Sequence, residues 1–262
     1  MVSEAVVVEK NYWKNETDRK IPEVDRMNYG TLYGVGVGPG DPDLLTLKAV
    51  KTLQSVAVVF AAASSKNNYS LAVEIASPHL KQGTPVTHLD FPMTRDKKML
   101  ADAWGNNGRQ VVEVLKNGKD AAFITLGDPL IYSTFGYVLK AVQKTHPEIP
   151  IKIIPGITSY QAGAAATGRI LVEGNESLVV ISGVVGAERL KQVIDRTDCV
   201  VMLKVYRNYG EILDALNELD LTAESVLVSR CGLDGEEIVW NLTDRDNSPP
   251  HYMSHLIIRK RR

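Results

Sequence analysis

Three turns carry the residues of this sequence whose types and spacing could do chemistry. They are Gly34-Val35-Gly36-Val37-Gly38-Pro39-Gly40-Asp41-Pro42, Gly127-Asp128-Pro129-Leu130-Ile131-Tyr132-Ser133-Thr134 and Ile154-Pro155-Gly156-Ile157-Thr158-Ser159. Each follows an apolar, β-like run and leads into residues that can start a helix. Glycine admits backbone conformations that a Cβ forbids and lets main chain approach a ligand, while Pro39 stiffens the loop between Gly38 and Gly40. Open α/β sheets collect ligands at the carboxyl ends of their strands, so three such turns imply one shared crevice. Its chemistry would be recognition by main chain and small hydroxyls, without a nucleophile triad or a metal cluster.

The spacing excludes two common nucleotide loops. A dinucleotide fingerprint begun at Gly34, Gly36 or Gly38 would need its third glycine at Pro39, Asp41 or Asp43, and a phosphate loop would need a lysine earlier than Lys48. Asp41 is a natural N-cap with Pro42 at the first helical position, which predicts a helix burying Leu44, Leu45, Leu47, Val50 and Leu53 on one face. Asp128 and Ser159 could equally be caps for the segments that follow them.

Around these turns the first half alternates strands near Thr31–Val37, Val56–Ala62, Pro85–Leu89 and Ala121–Leu126 with helical segments, the longest being Met99–Leu115. That alternation predicts a mostly parallel sheet wrapped by helices. Around His146–Pro150 two prolines flank a polar turn and suggest a boundary, giving an α/β chain with an N-terminal domain over 29–148 and a C-terminal domain over 149–262. The second half reads as Ile151–Ile154, a small-residue helix Thr158–Thr167, and strands near Leu178–Ser182, Cys199–Val205, Ser225–Arg230, Glu237–Leu242 and His255–Ile258. Its last strands follow one another through short turns, so that sheet is expected to be mixed. Residues 1–28 are charge-rich and weakly periodic, an expected flexible extension.

The 262 residues carry a formal net charge of -1, so no basic field argues for nucleic acid as a partner. Cys199 and Cys231 are too few for a disulfide framework or a zinc knuckle and read as buried thiols. His251 and His255 have i, i+4 spacing, but Pro249-Pro250 before them and strand-like Leu256-Ile257-Ile258 after them argue against a metal-binding helix, and no metal is expected. No run has the length of a membrane span or the pattern of a signal peptide, so the expectation is a cytoplasmic protein with no membrane partner. The basic end Arg259-Lys260-Arg261-Arg262 reads as solvated.

With the turns in this order, the chain from about Thr31 to Arg259 resembles the tetrapyrrole methylase family of S-adenosylmethionine-dependent enzymes. Phe91-Pro92-Met93-Thr94-Arg95-Asp96, Trp104, Thr125-Leu126-Gly127-Asp128-Pro129 and Tyr132-Ser133-Thr134 resemble the subgroup that methylates C20 of precorrin-2 or cobalt-precorrin-2 (cobalt-factor II). Val201-Met202-Leu203-Lys204-Val205 resembles its Met-Lys-Val segment, with Leu203 where Met is common.

The resemblance implies a two-domain fold with S-adenosyl-L-methionine in the cleft, no protein-bound metal, and a homodimer. It implies donor contacts at Gly38, Pro39, Gly127, Asp128, Pro129, Ser133, Thr134, Thr158, Ser159, Met202, Leu203 and Cys231, mostly through main chain. Asp128 would either accept from the donor's amino group or hold its own turn. The implied acceptor is a meso carbon of a carboxylate-fringed tetrapyrrole, which needs cationic partners at Lys66, Arg95, Lys98, Lys204 and Arg207, with Arg95 and Lys204 foremost. Tyr132 is the candidate near the reacting centre. Alternatives in other classes are a family methylase acting at a different ring carbon, on diphthine or on RNA ribose, and a non-catalytic tetrapyrrole-binding protein.

Overall fold

A computed structural model describes residues 28–63, 70–243, 245 and 248–260. Residues 1–27 of the expected extension, and Lys66, lie outside the described residues.

The first sheet contains β1 (Leu32–Gly36), β2 (Val58–Ala63), β3 (Val86–Asp90), β4 (Ala121–Thr125) and β5 (Ile151–Ile154). All its pairings are parallel, in the order β3-β2-β4-β1-β5. Strand β4 is buried at every position, as a central strand covered on both faces must be. Successive side chains of a strand point to opposite faces. Hence Val35, Ile124 and Val59 meet α1 (Leu47–Leu53) and α2 (Leu71–Ala76) on one side. Leu32, Phe123 and Phe60 meet α3 (Lys97–Leu115) and α4 (Phe135–Thr145) on the other.

Local starts differ from the sequence reading in two places. Helix α3 begins at Lys97, because Asp96 Oδ1 accepts from the backbone N–H groups of Lys98 (2.8 Å) and Met99 (3.2 Å). The helix expected from Pro42 divides instead. Asp41 caps only a single 3-10 turn, Pro42–Leu44, Leu45 is extended, and Thr46 caps α1 by accepting from the Ala49 N–H (3.1 Å). This rotates the face, so Leu45 and Leu53 are buried while Leu47 is 79% exposed.

Strand β5, expected to open the second domain, pairs with β1 (Leu32↔Ile151 to Val35↔Ile154), so the first sheet continues to Ile154 rather than ending before residue 149. The second sheet is mixed and has the order β6-β7-β10-β8-β9, from β6 (Leu178–Ser182), β7 (Cys199–Leu203), β8 (Ser225–Ser229), β9 (Glu237–Val239) and β10 (Ser254–Arg259). Strand β10 runs antiparallel to both β7 and β8, and β6 runs parallel to β7. The carboxyl ends of β6, β7 and β8 therefore emerge on one edge. Helix α5 (Ser159–Thr167) covers one face through Ala162 and Ala164. Helices α6 (Glu188–Val193) and α7 (Tyr209–Glu218) cover the other through Leu190, Ile212 and Leu216.

His255, on β10, is 3% exposed against α5; a Cβ on Gly163 would stand 2.4 Å from its Nε2. That nitrogen has no hydrogen-bond partner, and burial pushes the ring's pKa down to about 4, so it sits neutral in the core.

Candidate functional site

Strands β1 and β4 are neighbours, yet the chain leaves β1 toward α1 on one face and leaves β4 toward α4 on the opposite face. This is a topological switch point, where the two departing connections open a crevice at the strand ends. The first two turns sit on it. The Gly127 N–H donates to the Gly38 carbonyl (2.8 Å), and both glycines adopt positive φ, +63 and +80. The third turn closes against them so tightly that a Cβ on Gly156 would lie 2.1 Å from the Gly127 oxygen and 2.8 Å from Gly36 Cα. Only hydrogen fits at Gly156.

Polar side chains lock this arrangement. Asp128 Oδ1 accepts from the Leu130 N–H (2.9 Å) and Oδ2 from the Gly156 N–H (3.2 Å), so both oxygens hold turns together. Ser133 Oγ donates to Thr125 Oγ1 (3.0 Å) and accepts from the Phe135 N–H (3.0 Å), tying the loop to the end of β4. Thr134 precedes α4 and its carbonyl accepts from the Tyr137 N–H (3.1 Å). Thr158 forms a reciprocal capping box with Gln161, which starts α5 at Ser159. Pro39 and Pro129 are buried.

The second domain meets the first turn backbone to backbone. A Cβ on Gly40 would stand 2.5 Å from the Cys231 carbonyl oxygen, and one on Gly232 would stand 2.9 Å from the Asp41 nitrogen. The Cys231 thiol is pushed up to about 12 by burial and by Glu236, and Cys199 to about 11 by burial, so neither is a thiolate nucleophile near neutral pH. Met202 is fully buried in the core on β7, between β6 and β10, and Leu203 at the end of that strand is half-buried. Among the described residues no group of His, Cys, Asp and Glu converges to hold a metal ion.

Beyond this floor stands a rim of residues at positive φ. Tyr132, Lys204 and Arg230 take positive φ (50, 59 and 53) despite having side chains. Such residues cost about 1–2 kcal/mol each and collect where function fixes geometry. Lys204 ends β7 at Leu203, two residues before the expected Val205. It faces Tyr132 across the domains, its Nζ 5.7 Å from the ring centroid, while the Tyr132 hydroxyl donates to the Val180 carbonyl on β6 (3.4 Å). Lys204 is exposed, and partial desolvation of its ammonium draws its pKa below the ordinary lysine range. The Arg230 Nε donates to the Asp234 carbonyl (2.6 Å).

Other cations stand apart. Arg207 lies over its neighbour Tyr206, 5.5 Å from the ring. Arg95 and Lys98 are exposed near the start of α3, whose Trp104 stacks on Tyr137 of α4 (4.1 Å, 8°). With those two rings level, the first five residues of α3 extend about 7 Å beyond the start of α4. No contact joins Arg95 or Lys98 to Lys204 among the described residues. The sequence reading missed Arg230 and the Gly232 contact, because Ser229-Arg230-Cys231-Gly232 lacks the proline and aspartate that mark the other turns.

A family model of the Tetrapyrrole (Corrin/Porphyrin) Methylases matches residues 31–245. The chain belongs to this family. Among tetrapyrrole methylases, a probable cobalt-precorrin-2 C(20)-methyltransferase of Methanocaldococcus jannaschii is 36% identical, covering 87% of this chain and 96% of that protein. The cobalt-precorrin-2 C(20)-methyltransferase of Salmonella typhimurium is 32% identical, over 88% and 97%. In fold, the chain matches a cobalt precorrin-4 methyltransferase with a TM-score of 0.69 at 21% identity, covering 90% and 98% of the two chains. It also matches a uroporphyrin-III C-methyl transferase of Thermus thermophilus complexed with S-adenosylhomocysteine, with a TM-score of 0.65 at 20% identity, over 88% and 92%.

Proposed function

We propose that this tetrapyrrole methylase transfers a methyl group from S-adenosylmethionine to the C20 meso carbon of precorrin-2 or its cobalt complex, within cobalamin biosynthesis. Both relatives above carry that activity in their names. The observation that carries the reading at the level of geometry is the switch-point crevice, where three glycine-rich turns meet beside Lys204.

The residues present fit such a donor: a floor from which Cβ atoms are excluded lets main chain come close, and no cation in it repels a sulfonium. S-adenosylmethionine supplies an electrophilic methyl group when bound. Gly38, Pro39, Gly127, Pro129, Thr134 and Ser159 would line its place, with main chain at Met202, Leu203 and Cys231. Asp128, Ser133 and Thr158 hold the turns that shape it. The protein's work is alignment, since fixing donor and acceptor in one geometry supplies much of the rate. Lys204 leads the acceptor's carboxylate partners, followed by Arg95, with Lys98 and Arg207 at the periphery. Exposed Leu47, Ile170 and Trp240 leave apolar surface for a homodimer interface, which light scattering at micromolar concentration would detect. No helix among the described residues is long and apolar enough to cross a membrane, and a cytoplasmic site of action completes the proposal.

The test is mass spectrometry after anaerobic incubation with S-adenosylmethionine and, separately, precorrin-2, cobalt-precorrin-2 and the oxidised cobalt factor. One added methyl group at C20 of any of them is the expected result. Transfer to none of them contradicts the proposal.

A further inference from the structure

We infer that Lys204 is the general base of this reaction, taking the proton from the meso carbon while the Tyr132 ring receives the ammonium that results. The inference rests on the methyltransferase reading and goes beyond a role for Lys204 as a carboxylate partner.

Position is the first argument. Lys204 directly follows the end of β7, and Tyr132 follows the Gly127-Asp128-Pro129 turn, so the pair stands beside the proposed donor floor. Both hold left-handed backbone conformations that ordinary residues avoid. Tyr132 is further fixed by its hydroxyl on the Val180 carbonyl. Two residues of positive φ, one from each half of the chain, thus face one another at a cation–ring distance.

Charge is the second. A base must be able to lose its proton, and among the described residues no carboxylate lies within salt-bridge distance of Lys204. The ionisable groups on the elements meeting there are Tyr132 and Asp128 on the loop after β4, Tyr206 and Arg207 in the turn after Lys204, Tyr252 against the Tyr206 ring, His255 on β10, and Glu211 and Asp214 on α7, of which Glu211 accepts from the Ala187 N–H. Asp128 is occupied by the N–H groups of Leu130 and Gly156, and Arg207 by Tyr206. Partial desolvation already lowers the Lys204 pKa, and a sulfonium in the same cleft would disfavour the ammonium further.

The step balances. The meso carbon forms its bond to the methyl carbon with a ring π pair, and the carbon–sulfur bond breaks with its pair remaining on sulfur. The positive charge is then on the conjugated ring system. The meso C–H bond next breaks, its pair restoring the ring π system, and the proton goes to the Lys204 amine. The ammonium so formed lies over the Tyr132 face, which attracts a cation.

Three readouts test this. NMR of protein carrying labelled lysine, with the Lys204 signal assigned by its loss in Lys204→Arg, should titrate below the ordinary lysine range; titration at or above that range overturns the inference without reference to activity. In kinetics, Lys204→Arg and Lys204→Met should each lower kcat by about 100-fold or more with donor affinity, read by calorimetry, unchanged. The wild-type rise of kcat with pH should vanish in Lys204→Arg, and small primary amines should rescue Lys204→Met. Wild-type kcat and pH profile in Lys204→Arg would reduce Lys204 to a cation for acceptor carboxylates. If the wild-type protein methylates no tetrapyrrole, the function itself fails and the base falls with it, a result distinct from a wild type that turns over beside an unimpaired Lys204→Arg.

Discussion

The floor and the rim of the cleft solve the same backbone problem with opposite chemistry. At the floor, the positive φ angles fall on Gly38 and Gly127, where the absence of a Cβ removes the steric cost and main-chain groups meet directly. At the rim they fall on Tyr132, Lys204 and Arg230, which keep their side chains and carry the strain. At the rim side chains are kept at positive φ, whereas at the floor their absence lets main chain meet main chain. The floor holds carboxylates at Asp41 and Asp128 and no cation, whereas the rim holds the cations Lys204 and Arg230.

The largest expected effect comes from breaking the floor. Gly156→Val would set a branched side chain 2.1 Å from the Gly127 oxygen, backbone that cannot step aside, and should destabilise the fold by about 3 kcal/mol or more. Chemical denaturation measures it, and a variant as stable as wild type would show that the turns are not in contact. Next in size is an acid effect confined to the second domain. His255 has a folded pKa of about 4 against 6.5 unfolded, so between those values the unfolded chain binds the extra proton. Stability is therefore complete above pH 6.5 and falls as pH drops toward 4, by about 3 kcal/mol in all. Replacing His255 with Gln should flatten that part of the stability curve, as urea unfolding at a series of pH values would record; an unchanged slope assigns the acid sensitivity elsewhere.

The floor was legible in the sequence because glycine, proline and aspartate announce turns through their own backbone preferences. Helix α5 was legible from its small residues over Thr158–Thr167, but its cap is Thr158 rather than Ser159, because the Thr158 side chain reaches the Gln161 N–H. The rim was legible as charge but not as geometry. Nothing local distinguishes a Tyr, Lys or Arg at positive φ from one in a strand or helix. Sheet membership failed for the same reason, since the pairing of β5 with β1 joins residues more than a hundred positions apart while the proline-flanked turn before β5 looks like a boundary. Leu47 was misplaced because Thr46 offered a second cap that a continuous helical face had no room for.

Smaller effects refine the rim. Arg95→Ala should weaken acceptor binding by about 1–3 kcal/mol with donor affinity nearly intact, and added salt should reduce the difference. Steady-state kinetics at two ionic strengths reads this, and a wild-type acceptor KM would make Arg95 a solvated charge. Arg230→Gly should raise stability by at most about 1 kcal/mol, because relief of the strained φ is partly offset by the greater freedom of glycine in the unfolded chain. A thermal midpoint below wild type would mean that the Arg230 bond to the Asp234 carbonyl outweighs the strain.

The central claim is that the three glycine turns at the switch point form the donor site. Gly127→Val tests it most directly: the added Cβ meets nothing closer than Thr158 Cα at 3.7 Å, yet φ +63 is strained for a branched residue, so the crevice deforms while the core keeps its packing. Calorimetric titration of the folded variant with S-adenosylmethionine should show affinity lowered at least tenfold. Wild-type affinity in that variant would contradict the account and move the donor away from these turns.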